Sequence, residues 1–258
     1  MKNKYAAEVR AALEKVKNQH PGLITEEDLR PLPLIVQKYL NSSGVIGMEN
    51  ILNARIEMEG KIRSNPGDSW MKLSSVQYNF FDPYTRIFYI KAKKMCIPAV
   101  GLHLYKDETA LMLIKLAGLF TISDARGPEM DQGETVTVFN DMCFMAPGTL
   151  LSKNIRWEIL EPTVVNAIFT NGRLKISARL YFDEGGRLIN FVSNDRFETK
   201  DGKVYKNYPW STPVTEFGDI NGRIIPAAAR AIYHHPEGEF CYAEFFIKDI
   251  KYNCNELF

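Results

Sequence analysis

Leu52-Asn53-Ala54-Arg55-Ile56-Glu57-Met58-Glu59-Gly60-Lys61-Ile62-Arg63 is the stretch whose reading decides the fold. Leu52, Ala54, Ile56, Met58 and Ile62 alternate with Asn53, Arg55, Glu57, Glu59, Lys61 and Arg63. A period of two belongs to a strand with one face on a core and the other in water. Leu52, Ala54, Ile56 and Met58 are therefore expected to point inward, with Arg55, Glu57 and Glu59 solvated. A slip of one residue would send each of these side chains to the opposite face.

The pattern extends forward. Pro66-Gly67 turns the chain, and residues 70–81 and 86–92 continue as strands. Around 80–90 and 95–104 apolar residues stand on both faces. Such strands lie between two layers, or line an interior that is apolar but not filled. Further on, Leu174, Ile176, Ala178, Leu180 and Phe182 alternate with Lys175, Ser177, Arg179 and Tyr181. Asn171-Gly172 and Gly185-Gly186 bracket that strand as hairpin signals, and Asp201-Gly202, Asn221-Gly222 and Glu237-Gly238 mark more turns. The expected class is mainly β (α+β): a curved antiparallel sheet or half-open barrel of about ten strands.

Two helical regions interrupt the sheet. Val9, Leu13 and Val16 recur at helical spacing until His20-Pro21-Gly22, and Thr25 with Asp28 has the spacing of a capping box. Leu34 to Leu40 reads as a short helix closed by Gly44. Residues 1–45 thus form a helical lead packed on a β unit of residues 46–258. Inside that unit, 131–145 reads as a helix. Asp131 and Glu134 have capping-box spacing, Val138, Phe139, Met142 and Met145 share a face, and Pro147-Gly148 stops it.

Composition narrows the function. Apolar residues make up 45% and charged residues 24%, which are ordinary globular values. Lys plus Arg is 32 and Asp plus Glu is 31, so no overall basic excess advertises nucleic acid or an anionic membrane as a partner. Cys96, Cys143, Cys241 and Cys254 are scattered and read as free thiols serving as small apolar groups. Met1-Lys2-Asn3-Lys4 opens like a signal peptide, but Glu8, Arg10, Glu14 and Lys15 interrupt the apolar region that should follow. The run from Ala110 to Ile122 is too short to span a bilayer. A cytoplasmic protein without a transmembrane segment is the expectation.

The densest chemistry is Asp124-Ala125-Arg126-Gly127-Pro128-Glu129-Met130-Asp131-Gln132-Gly133-Glu134, with four carboxylates and one guanidinium in eleven residues. Two carboxylates tuned apart could perform acid–base chemistry, and Arg126 could hold a carboxylate or phosphate bidentately. The plainer reading is a loop in which Asp131 caps a helix, Arg126 neutralises its neighbours and Gly127-Pro128 fixes a turn. On either reading Arg126 should pair with Asp124, Glu129 or Glu134, in a cluster partly shielded from water. His234 and His235 adjoin on a hairpin and diverge, which makes a shared metal ion awkward. The aromatics of 78–89 and 245–252, near Lys91, Lys93 and Lys94, suit a core better than a nucleic-acid platform. No glycine-flanked serine, phosphate loop or dinucleotide motif is present, so no catalytic residue, metal or cofactor is assigned.

Residues 124–134 resemble the signature of an uncharacterised bacterial family of unknown function. Other pieces agree in order: Leu32-Pro33, Tyr39-Leu40 and Gly44; Arg156-Trp157; Phe182-Asp183 before Gly186-Arg187-Leu188; and Pro209-Trp210. Phe217-Gly218-Asp219, Ile225-Pro226 and Pro236-Glu237-Gly238-Glu239-Phe240 with Tyr242 complete a likeness running from about Pro31 to Tyr252. The resemblance implies a fold like that of periplasmic lipoprotein carriers, a curved antiparallel sheet with helices at its open face. It transfers no activity. The leading expectation is non-enzymatic binding of an apolar or amphipathic small molecule in a sheet-lined cavity. Asp124, Arg126, Glu129, Glu134, Trp210 and Tyr242 are the candidate ligand-binding residues. A hydrolase using carboxylates of 124–134 with Arg126 positioning substrate, and an interaction module without ligand, are the alternatives.

Overall fold

In the computed structural model, which describes residues 1–94 and 97–258, the alternating stretch is strand β1 (Asn53–Ile62). It pairs antiparallel on both sides, with β2 (Met71–Phe81) and with β16 (Gly238–Tyr252). On the β2 side the sheet is a meander of β3 (Tyr84–Lys94), β4 (Ile97–Lys106), β5 (Thr109–Leu116) and β6 (Phe120–Ala125). On the other side β16 pairs with β15 (Arg223–His235). Next to β15 run β13 (Trp210–Ser211) and β14 (Val214–Ile220). From β13 the order continues through β10 (Leu188–Ser193), β9 (Leu174–Phe182) and β8 (Val164–Asn171) to β7 (Ile155–Glu161). A separate two-stranded hairpin, β11 (Phe197–Glu198) with β12 (Lys206–Asn207), lies between β10 and β13 in the chain.

The main sheet thus has fourteen strands, not about ten. The excess lies where no alternation is visible. The apolar run from Ala110 to Ile122 folds back on itself at Ala117-Gly118, both at positive φ, into β5 and β6. β13 has only two residues. Edge strands β6 and β7 do not pair with each other among the described residues, so the curved sheet stays open. In β9 the expected alternation holds, with Ile176, Ala178, Leu180 and Phe182 buried while Lys175 and Arg179 are exposed.

Helix α1 (Lys2–Val16) lays Tyr5, Val9, Ala12, Leu13 and Val16 on the outer face of the sheet. There they meet Tyr78, Phe80, Ile87, Leu102, Leu104 and Leu111. This second layer explains the apolar residues on both faces of β2 to β5. It also overturns one expectation for β1. Ala54, Ile56 and Met58 point inward as predicted, but Arg55 is buried on the outer face instead of solvated. It lies under α1 near Tyr5 and Tyr78 and is paired with Glu57, which stays partly exposed. Its Nε has no acceptor.

Helix α2 (Glu26–Leu29) carries the expected capping box, Thr25 N and Oγ1 donating to Asp28 Oδ2 at 2.8 and 2.7 Å. Helix α3 (Leu34–Ser42) ends at Gly44, whose φ of 69° few other residues adopt. Cys143 and Cys254 are buried free thiols and Cys241 is half-buried; Cys96 and Met95 lie outside the described residues. Among the described residues no helix is long and apolar enough to cross a membrane.

The internal helix, α4 (Pro128–Met145), starts three residues before the expected 131–145. Gly127 is its N-cap residue at φ 104°, and Pro128 takes the first turn, where its missing N–H costs nothing. Asp131 therefore does not cap it. Its Oδ1 instead accepts from Ala110 N at 2.7 Å, and its Oδ2 faces Arg173 at 3.3 Å, tying the helix to two hairpin turns. The helix contacts β3, β4 and β5 from one half of the sheet and β9, β10 and β15 from the other. The sheet curls around it, so fifteen of its eighteen residues are buried and no side of it faces bulk water.

Candidate functional site

One side of α4 is filled and the other is not. On the filled side Phe139 stacks on Phe169 with ring centres 5.1 Å apart and tilts against Phe191 at 5.8 Å. On the other side a cavity of about 610 Å³ separates the helix from the inner face of the sheet. Its wall includes Phe88 and Ile90 of β3, Met112 and Ile114 of β5, and Phe245 and Ile247 of β16. All but Phe88 remain half-buried although they point inward, because the cavity leaves part of each uncovered. Lys200 and Arg230, both exposed, mark the mouth.

The polar end is set by strand register. Asn79 of β2 lies opposite Arg86 of β3, Gln77 opposite Phe88, and Phe88 opposite His103 of β4, so all share the inner face. Above them α4 offers Glu134 and Asp141, two turns apart on one side. Arg86 binds both acids, Nη1 to Glu134 Oε2 at 3.1 Å and Nε to Asp141 Oδ2 at 2.8 Å, and Nη2 donates to Gln77 Oε1 at 2.9 Å. Gln77 and Asn79 amides also donate to Asp141 Oδ2, at 2.6 and 3.1 Å. His103 Nδ1 lies 3.4 Å from Glu134 Oε1.

Burial alone would raise Glu134, but Arg86 and then His103 outweigh it and hold the carboxyl at about 2. For Asp141 burial wins over Arg86 and the two amides, so its carboxyl sits above the usual range. One guanidinium therefore holds two acids whose titrations are pushed apart.

A third group closes the cavity. The β11–β12 hairpin crosses near the start of α4, where Tyr205 OH donates to Arg126 O at 2.9 Å and Gly202 packs on the backbone of Asp124 and Ala125. Arg196, Phe197 and Glu198 of this segment line the cavity. Arg196 donates to Thr137 Oγ1 at 3.3 Å and to Tyr233 OH, and its guanidinium lies 4.7 Å from the Trp210 ring centre. Trp210 Nε1 in turn donates to Tyr242 OH at 3.2 Å. His235 pairs with Glu198 at 2.8 Å, while His234 contacts Ser211 and Glu239, so the adjacent histidines diverge as expected.

The structure divides the candidates named from sequence. Glu129, Glu134, Trp210 and Tyr242 line the cavity. Asp124 and Arg126 do not; both are exposed, and they pair with each other at 2.9 Å. The expected contact of Arg126 is made, and the shielded part of the segment is Asp131 and Glu134, which it does not touch. Arg126, which the hydrolase alternative uses to position substrate for carboxylates of 124–134, lies off the cavity that Glu129 and Glu134 line. Sequence reading passed over Arg86, Asp141 and Arg196. For Arg86 a signal existed: it breaks the inward series Tyr84, Arg86, Phe88, Ile90.

A curved open sheet wrapped around a buried helix, with a cavity between them, defines the architectural class. The chain belongs to a family of unknown function (DUF6544), whose model matches residues 22–245. No curated protein matches it. Among solved structures it is similar to a putative outer membrane lipoprotein-sorting protein domain from Vibrio parahaemolyticus, at 10% identity over 80% of this chain and 87% of that one, TM-score 0.44. It is also similar to a DUF1329 family protein from Desulfovibrio piger, at 11% identity over 80% and 88%, TM-score 0.38. A LolA superfamily protein from Nitrosomonas europaea is 10% identical over 90% and 94%, TM-score 0.37.

Proposed function

We propose that this chain binds an apolar or amphipathic small molecule, without catalysis, in the cavity between α4 and the inner face of the sheet. The observation that carries this reading is the half-buried state of inward apolar side chains from β3, β5 and β16 around about 610 Å³. Apolar surface that folding brings inward but leaves uncovered gains free energy when a ligand covers it. The volume lies within the roughly 300–1,000 Å³ of small-molecule sites, which pair apolar walls with a few polar groups. Glu129, Glu134, Trp210 and Tyr242 are assigned to that polar margin. Asp124 and Arg126 are assigned to the helix entry.

The test uses N-phenyl-1-naphthylamine, an uncharged probe whose emission rises in apolar surroundings. Wild type should give saturable enhancement. Ala229 lies opposite Phe245 across β15 and β16 and so shares its inward face, and Ala229→Trp should fill the space and suppress the signal. Absence of saturable enhancement in protein with native circular dichroism would reject the reading.

A further inference from the structure

We infer that the ligand of this cavity is an amphiphile with an anionic oxygen head, carboxylate or phosphate, whose head is held by Arg196. The inference rests on the cavity being a binding site and names the chemistry it selects. Its starting point is an imbalance among the charged lining groups. Glu134 and Asp141 are both bound by Arg86, Glu198 is paired with His235, and Arg230 faces Glu244 at 3.7 Å. That leaves Glu129, half-buried in the first turn of α4, as the one lining carboxylate without an ion pair among the described residues, against three such cations. Arg63, Arg196 and Lys200 then have no carboxylate within ion-pair distance among the described residues. Arg63 donates to the carbonyls of Cys241 and Pro66, and Lys200 bonds to Asn65 at the exposed mouth. Arg196 alone of the three sits against α4.

Its surroundings hold the charge without satisfying the donors. Nε is used by Thr137 and Nη1 by Tyr233, both neutral oxygens, while Trp210 and Tyr233 flank the guanidinium at 4.7 and 5.7 Å. Nη2 makes no hydrogen bond among the described residues and is not fully enclosed, in a residue that lines the cavity. Burial works against the charge, but Tyr233, Tyr242 and Glu134 outweigh it, so the group stays protonated. Glu134 acts on Arg196 only through space, its oxygens being engaged by Arg86 and His103. A guanidinium with no carboxylate partner and Nη2 still free to donate is suited to an oxygen of a carboxylate or phosphate. The apolar wall of β3, β5 and β16 then takes the chain of the same molecule.

Displacement of bound N-phenyl-1-naphthylamine separates this inference from the reading beneath it. Four ligands sharing one chain would compete: dodecanoate, dodecyl phosphate, 1-dodecanol and dodecyltrimethylammonium. In wild type at least one anion should bind about tenfold or more tighter than the alcohol, the range of a charge-assisted hydrogen bond, and the cation should bind weakest. Which anion leads identifies the head. Arg196→Gln should remove the preference while the uncharged probe still binds, and Arg196→Lys should keep part of it. Equal binding of the anions and the alcohol to wild type would overturn the assignment without any variant. A preference surviving in Arg196→Gln would also overturn it. Failure of the probe itself would instead strike the cavity reading.

Discussion

Replacing Arg86 by Met keeps much of the side-chain length and removes the cation that touches both Glu134 and Asp141. Glu134 is 2% exposed and Asp141 5%, so water cannot take the place of the guanidinium. Removing one partner of a buried ion pair costs about 3–5 kcal/mol, because the surviving charge stays buried and unpaired. For a chain of this size each kcal/mol moves the melting temperature by about 2–4 °C, which gives a fall of roughly 6–20 °C. The pH dependence supplies a second readout. In wild type the Glu134 carboxyl is depressed from 4.5 to about 2, so its stabilisation is present above 4.5 and lost as pH falls toward 2. Without Arg86 the folded-state values of both acids rise above their unfolded ones. The penalty is then full at neutral pH and fades as pH drops through 4.5 and 3.8. The deficit should therefore shrink between about pH 7 and about pH 4, as read by thermal unfolding with circular dichroism. Arg86→Met combined with Glu134→Gln and Asp141→Asn leaves no stranded charge and should recover most of the loss. A single variant that melts with wild type, or a deficit that does not change with pH, would refute the reasoning.

Arg126→Ala should leave the melting temperature unchanged, since its pair with Asp124 is solvated on both sides; a clear loss in thermal unfolding would show that the 124–134 segment depends on it. Phe139→Ala should cost about 3–5 kcal/mol in denaturant unfolding, because the ring is wholly buried between Phe169 and Phe191 on the filled side of α4. A loss below about 1 kcal/mol would mean that this side can collapse and is not packed as described.

How much of this could be read in advance depends on whether the cause was local. The inward register of Ala54, Ile56 and Met58 follows from a period of two, and β9 repeats it. The turns at Asn171-Gly172 and Asn221-Gly222 carry their own signal in residues that tolerate positive φ. Burial of Arg55 did not, because it depends on α1 covering the outer face, a contact about 50 positions away in the chain that no alternation encodes. The capping-box spacing of Asp131 and Glu134 misled for a related reason. Both acids do satisfy donors, but those donors are Ala110 N and Arg86, brought in by the sheet, not the helix's own N–H groups.

The interior charges were nevertheless partly legible, in a form that pairs strands with helix. In β3 the inward series Tyr84, Arg86, Phe88, Ile90 carries one cation, and in β2 the adjoining inward positions are Gln77 and Asn79. Such a series cannot bury a guanidinium unless something opposite accepts its five donors. On α4 the residues seven apart, Glu134 and Asp141, present two carboxylates on one side of a helix flanked by apolar sequence. A strand short of acceptors and a helix rich in them imply each other, since leaving either unmatched in the interior would cost several kcal/mol. Arg196 has no carboxylate counterpart within ion-pair distance among the described residues. Within the same interior, where Arg86 is matched by two carboxylates, a cavity-lining guanidinium with none is what the anionic amphiphile inferred above would complete.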